Sequence, residues 1–219
     1  MQPLVIAIDG PSGSGKSSTS KLVAARLGLA YLDTGSMYRA VALGAMNAGI
    51  LDDPDAVVDL ARQAKLDVGT SPSAPAIAVD GVDVTAEIRD PQVSASVSKV
   101  AVIPQVREIL TAQMQRIVAD AKAGIVLEGR DATTVITPDA PVRVLLVADT
   151  QARMARRNAE IGGLSQVDLT DQVVRRDRDD ATVAQFEAPA PGVRLIDTTH
   201  LTLDQAAEAV IALAAAATG

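Results

Sequence analysis

The sequence predicts an α/β fold: a central parallel sheet with helices on both faces. Three observations lead to it. Short, continuous apolar runs that read as buried strands alternate with segments of helical periodicity along the 219 residues. The first such run leads directly into a glycine-rich loop and a helix. One stretch breaks the alternation, a hairpin around Asp80-Gly81, which reads as a small antiparallel insert.

Leu4-Val5-Ile6-Ala7-Ile8 is the first strand, closed by Asp9-Gly10-Pro11. Leu22, Val23, the stem of Arg26 and Leu27 mark a helix stopped by Gly28. Residues 30–32 read as a second strand, and residues 36–47 as a helix beyond Asp33-Thr34-Gly35. Asp53-Pro54 opens another helix, with Asp at its cap and Pro at its first position. From Asp67 to Arg89 the texture changes. Gly69-Thr70-Ser71-Pro72-Ser73-Ala74-Pro75 is a loop, and residues 77–84 alternate around the Asp-Gly turn, giving an insert over about 67–103.

Pro104 starts a long helix to residue 123, with Val106, Ile109, Leu110, Met114, Ile117, Val118 and Ala121 on one face. Residues 124–128 and 142–148 read as two more buried strands. Residues 153–158 and 168–178 read as charged helices on either side of a Gly162-Gly163 hinge, a helical lid over about 150–180. Residues 193–196 form a last strand. Thr202-Leu203-Asp204-Gln205 is a capping box for a terminal helix, completing one domain over residues 1–219.

Composition narrows the function. With 48% hydrophobic and 21% charged residues the chain is an ordinary globular one. Its net charge of −7 argues against nucleic acid or an anionic membrane as the main partner. No apolar run approaches the roughly 18 residues of a membrane span, and no basic segment precedes an apolar N-terminal stretch, so the expectation is a cytoplasmic protein. The absence of Cys and the single His200 exclude thiolate and multi-histidine metal sites. Arg outnumbers Lys by 15 to 5, and eight of the arginines fall between Arg130 and Arg178. That excess reads either as compositional bias or as a set of planar phosphate ligands.

Gly10-Pro11-Ser12-Gly13-Ser14-Gly15-Lys16-Ser17 fits the phosphate-loop pattern in full. At ordinary residue frequencies a chance match is expected in roughly one chain per hundred of this length. Glycines let backbone N–H groups turn toward phosphate oxygens, and the following helix adds its positive dipole end. Lys16 is expected to bridge the β- and γ-phosphates of a nucleoside triphosphate, and the Ser17 hydroxyl to sit on Mg²⁺. The guanine-reading N-K-x-D and the L-S-G-G-Q signatures are both absent.

The rest of the sequence sharpens this. Ile8-Asp9-Gly10-Pro11-Ser12-Gly13-Ser14-Gly15-Lys16-Ser17, Leu32-Asp33-Thr34-Gly35-Ser36-Met37-Tyr38-Arg39 and Glu128-Gly129-Arg130-Asp131 together resemble the bacterial cytidylate kinase family. Asp83-Val84-Thr85-Ala86-Glu87-Ile88-Arg89, Pro104-Gln105-Val106-Arg107 and Thr137-Pro138-Asp139-Ala140-Pro141 match as well, and the similarity runs over about residues 5–210. The resemblance implies a P-loop NTPase three-layer core, an NMP-binding insert and a helical lid. It implies transfer of the γ-phosphoryl group of ATP to CMP or dCMP with Mg²⁺; a monomer is the expectation for the chain itself. Residues 10–17 and Ser18 would bind ATP. Thr34, Tyr38 and Arg39 would line the monophosphate side, with Arg39 and Arg130 holding the CMP phosphate; Ser98 and Arg107 would read the base, and Arg176 and Asp180 would hold the ribose. Asp131 would orient the arginines beside it. Arg153, Arg156 and Arg157 would sit on the lid, with Arg153 and Arg157 taken as catalytic alongside Lys16, Arg130 and Asp131.

Three positions depart from the family's pattern. Thr133 stands where a glycine is usual, with strain expected if that position has positive φ. Val183 stands where another substrate-binding arginine is usual, and Gln185-Phe186 where the pattern has Pro-Leu. Asp149 could pass for a metal-side aspartate but reads as a helix cap. Two other readings stay open: a kinase of a different small acceptor, such as UMP or a non-nucleotide alcohol, and a nucleotide-binding regulator without turnover.

Overall fold

The computed structural model describes residues 3–161 and 188–218. In chain order the chain forms β1 (Val5–Asp9), α1 (Lys16–Leu27), β2 (Ala30–Asp33), α2 (Thr34–Asn47) and α3 (Pro54–Gln63). There follow β3 (Leu66–Val68), β4 (Ile77–Val79), β5 (Val82–Asp83), α4 (Pro91–Ala101) and α5 (Pro104–Asp120). Then come β6 (Ile125–Gly129), β7 (Val142–Val147), α6 (Thr150–Ile161), β8 (Arg194–Asp197) and α7 (Leu203–Thr218). The expected second charged helix over residues 168–178 lies outside the described residues.

Five strands pair in the order β2-β6-β1-β7-β8, all parallel. Side chains alternate along β1, so Ile6 and Ile8 point to one face and Ala7 to the other. On the first face they meet Val23 and Ala24 of α1 and Val210 and Ala214 of α7. On the second, Leu32 and Leu127 pack on Met37 and Val41 of α2 and Leu110 and Met114 of α5. With only three aromatic residues in the chain, these layers are filled by branched aliphatics, each contributing roughly 1.5–3 kcal/mol when fully buried. A parallel arrangement sends every strand's C-terminal end to the same edge, which is where such sheets place ligands.

Capping residues set the helix boundaries. Gly28, at φ 65°, closes α1, its N–H reaching Ala24 and Ala25 carbonyls. Asp33 caps α2 by accepting from Ser36 N at 3.1 Å, and Asp53 caps α3 by accepting from Ala56 N at 3.1 Å. At α7 the capping box closes in both directions: Thr202 N to Gln205 Oε1 at 2.9 Å, and Gln205 N to Thr202 Oγ1 at 3.2 Å.

The antiparallel module has three strands, ordered β3-β4-β5. Its turn has Asp80 at φ 51° and Gly81 at φ 81°, the paired left-handed residues that two-residue hairpins favour. The sequence reading found the hairpin but not β3 or α4. The module also protects the main sheet, because Thr70 O accepts from Tyr31 N (2.8 Å) along the open edge of β2. Among the described residues no helix is long and apolar enough to cross a membrane.

Candidate active site

Residues 10–15 run from β1 into α1 as a loop whose turns require glycine. Gly15, at φ 86°, is the residue from which α1 starts. Gly13, at φ 75°, lies so close to α6 that an added Cβ would come within 2.7 Å of the Arg153 carbonyl oxygen. The helix N-terminus and the loop's N–H groups make an anion cradle. Lys16 lies beside it, its Nζ 3.5 Å from Pro11 O and 3.9 Å from Glu128 Oε2.

Two carboxylates that sequence reasoning gave no role back the loop. Glu128, at the end of β6, is 2% exposed and accepts from Ser17 Oγ at 2.5 Å and Tyr31 OH at 3.0 Å. Burial and the neighbouring Asp33 charge push its carboxyl up, against the pull of Lys16, Ser17 and Tyr31. Asp33, at the end of β2, pairs with Arg39 Nη2 at 2.6 Å. Burial disfavours its ionisation, but the Arg39 and Lys16 cations, with Ser36 N–H, hold it below the ordinary carboxylate value. The Ser17 hydroxyl and the Glu128 carboxylate are hard oxygen donors, suited to Mg²⁺ that keeps waters and phosphate oxygens as its other ligands.

The cleft in front of the loop is about 590 Å³, and Lys16, Arg39, Tyr38, Arg107, Arg130 and Arg157 are among its lining residues. A separate cavity of about 690 Å³ lies at the opposite edge of the sheet, against Leu4, Pro138 and Ala217, and touches none of the expected site residues. Within the cleft, Arg107 Nη2 meets Asp131 Oδ2 at 2.5 Å, while Arg130 donates to the Gly10 carbonyl. Thr34 Oγ1 donates to Glu128 O at 2.8 Å, tying the start of α2 to the end of β6. Burial, with Asp131 nearby, pushes the Tyr38 hydroxyl up to about 12, so it stays a neutral donor.

Other placements differ from expectation. Ser98 does not line the cleft; Ser94, one turn earlier on α4, does, together with Val97 and Ala101. Arg89, exposed at the end of a 3-10 turn in the insert, also faces the cleft. Arg157 lines it, but Arg153 packs behind the phosphate loop, 8% exposed, donating to Ser12 O at 3.2 Å. Arg156 reaches Thr198 O at 2.5 Å and Ser14 O at 3.4 Å, and Thr198 Oγ1 donates to Ser14 O at 2.9 Å. Arg176, Asp180 and Val183 lie outside the described residues.

The departures at residues 133 and 149 have clear accounts. Thr133 sits in a single π-helical turn, Ala132–Ile136, and Asp80 is the only described non-glycine residue with positive φ, so the expected strain does not arise. Asp149 accepts from Ala152 N at 2.6 Å and caps α6. Asp9 was missed: it is 3% exposed and accepts from Ala132 N and Thr133 N at 2.9 Å each and from Thr133 Oγ1 at 2.6 Å.

A family model described as cytidylate kinase matches residues 6–216. A cytidylate kinase of Cutibacterium acnes is 58% identical over 214 residues, 96% of each chain. One of Streptomyces avermitilis is 43% identical over 212 residues, 96% of this chain and 92% of that one. Among solved structures, a gluconokinase from Sinorhizobium meliloti 1021 has a similar fold, with a TM-score of 0.51 at 14% identity over 100% of this chain and 96% of that one.

Proposed function

The chain belongs to the cytidylate kinase family, and from that premise we propose that it transfers the γ-phosphoryl group of ATP to CMP or dCMP, releasing ADP and CDP or dCDP. The observation that carries this reading is one cleft with a phosphate loop and Lys16 on one wall and Arg39, Arg107 and Arg130 on the other. Such a cleft suits two phosphorylated ligands whose phosphates must meet.

An oxygen of the CMP phosphate attacks the γ-phosphorus in line; a new P–O bond forms as the bond to the β-phosphate oxygen breaks, and the electron pair leaves with ADP. The attacking oxygen is already ionised near neutral pH, so no general base is required. The chain's work is positioning and spreading charge. Lys16 and the loop N–H groups hold the donor phosphates. Thr34, Tyr38, Arg39 and Arg130 hold the acceptor phosphate. Ser17, with Glu128 behind it, would hold Mg²⁺, which neutralises charge on the donor phosphates. Arg107, fixed by Asp131, offers a donor fork to the cytosine O2 and N3 acceptors, and the Ser94 hydroxyl, which lines the cleft where Ser98 does not, complements the amino group. Arg157 faces the transferring group; Arg153 supports the loop from behind. Arg176 and Asp180 hold the ribose.

The test is ADP formation from MgATP with CMP, dCMP, UMP, AMP or GMP as acceptor, with Lys16→Ala as control. CMP and dCMP should lead by at least about tenfold, the discrimination one unpaired buried polar contact imposes. Comparable UMP turnover would mean that Arg107 does not select the base. ATP binding without acceptor-dependent turnover would replace the kinase with a regulator.

A further inference from the structure

We infer that the Thr133 hydroxyl is a positioning group that fixes the acceptor side of the cleft against the phosphate loop. The inference rests on the kinase reading above and adds a residue to it. Asp9 ends β1 directly before Gly10, and its buried carboxylate is the point where the two walls join. Three donors from the turn meet it, and the shortest of the three bonds, 2.6 Å, comes from the Thr133 hydroxyl. Thr133 is itself 3% exposed, so water does not stand in for a lost hydroxyl there.

The turn carries the cleft residues with it. The Asp131 carbonyl accepts from Thr134, Val135 and Ile136 N–H groups at 3.3, 2.9 and 3.2 Å. Asp131 in turn grips Arg107, and Arg130, one residue earlier, donates to Gly10 O. Displacing the turn therefore displaces Arg130, Asp131 and Arg107 together. The phosphate loop has separate supports on its far side, from Arg153 to Ser12 O and from Thr198 to Ser14 O. Loss of the Thr133 hydroxyl should loosen acceptor binding and leave donor binding intact.

The experiment compares the parent with Thr133→Val, which keeps the branched shape and the N–H, and with Thr133→Ser, which keeps the hydroxyl. Steady-state KM for CMP and for MgATP, CMP affinity by calorimetry and thermal midpoints are measured on each. Thr133→Val should raise KM and Kd for CMP about tenfold, with KM for MgATP within about twofold of the parent, and Thr133→Ser should restore CMP binding. Unchanged CMP affinity in Thr133→Val, or CMP and MgATP constants rising together, would overturn the inference. So would a lower kcat and midpoint with both KM values intact, the mark of a purely structural residue. If Thr133→Val does not fold, Thr133→Ala is read by the same criteria. A parent that binds CMP without turning it over refutes the kinase reading, and the calorimetric comparison still decides this one.

Discussion

Few charges in this cleft stand alone at the residue scale, and their pairings set how substitutions behave. Arg39 shows it: its partner Asp33 is tied at 2.6 Å, and both side chains are 17% exposed. The folded pKa of Asp33 lies below its ordinary 3.8, so the pair contributes stability above that value and loses it as pH falls through the lower, folded pKa. Arg39→Gln should therefore destabilise the fold by about 1 kcal/mol at pH 7, a partly buried pair being worth more than an exposed one. The gap should begin to narrow as pH falls through 3.8 and close only below the lower, folded pKa, where both states protonate Asp33. Urea titrations stepped down in pH from 7 measure it; a gap that stays constant as pH falls through the folded pKa of Asp33 would mean the loss is packing rather than charge. The same variant should raise KM for CMP at least about tenfold, since a charge-assisted phosphate contact goes with it.

At the scale of elements, α6 and α7 show which parts of this molecule can be read from residues in order and which cannot. Thr202 and Gln205 announce the start of α7 from sequence because a capping box is local; Thr202→Ala should cost about 1 kcal/mol and lower the midpoint by about 2–4 °C, with both KM values unchanged. The strands were legible for the same reason, as apolar runs bounded by Asp, Gly and Pro. α4 was not, although Val93, Val97 and Val100 keep helical spacing, because Ser94, Ser96 and Ser98 dilute the pattern with poor helix formers. Three residues are too few for β3 to show a period. On α6, arginines at 153, 156 and 157 signal phosphate chemistry, but spacing does not say which face meets the loop. The approach of the Arg153 backbone to Gly13 decides that, turning Arg153 and Arg156 behind the loop and Arg157 toward the cleft. Glu128 was hidden too, since its partners Ser17 and Tyr31 come from elements about a hundred residues away. Arg156→Ala should then raise KM for MgATP about tenfold while KM for CMP stays within about twofold, the inverse of the split expected at Thr133. Equal changes in both constants would show that α6 braces the whole cleft.

For the molecule as a whole, stability is unevenly distributed, and the uneven part lies over the acceptor side. All five residues of β6 are buried between two helical layers, whereas β3, β4 and β5 span three, three and two residues, and Val82 is 64% exposed. Of these three short strands only Ile77 is fully buried in the core, with Leu66, Val68 and Val79 partly buried against it, a small apolar contact compared with the sheet's two faces. Segments with few buried contacts open locally at a fraction of the global free energy. Amides of β3–β5 should thus exchange with deuterium at least about a hundredfold faster than those of β1 and β6. Binding should then distinguish the walls, because Arg89 lines the insert's end of the cleft, where an acceptor phosphate would meet it. CMP should slow exchange through β5 and residues 87–89, and MgATP alone should slow it in residues 10–17 instead. Protection of the insert by MgATP to the same degree as by CMP would mean that the cleft responds as one unit, and that the insert does not report on the acceptor.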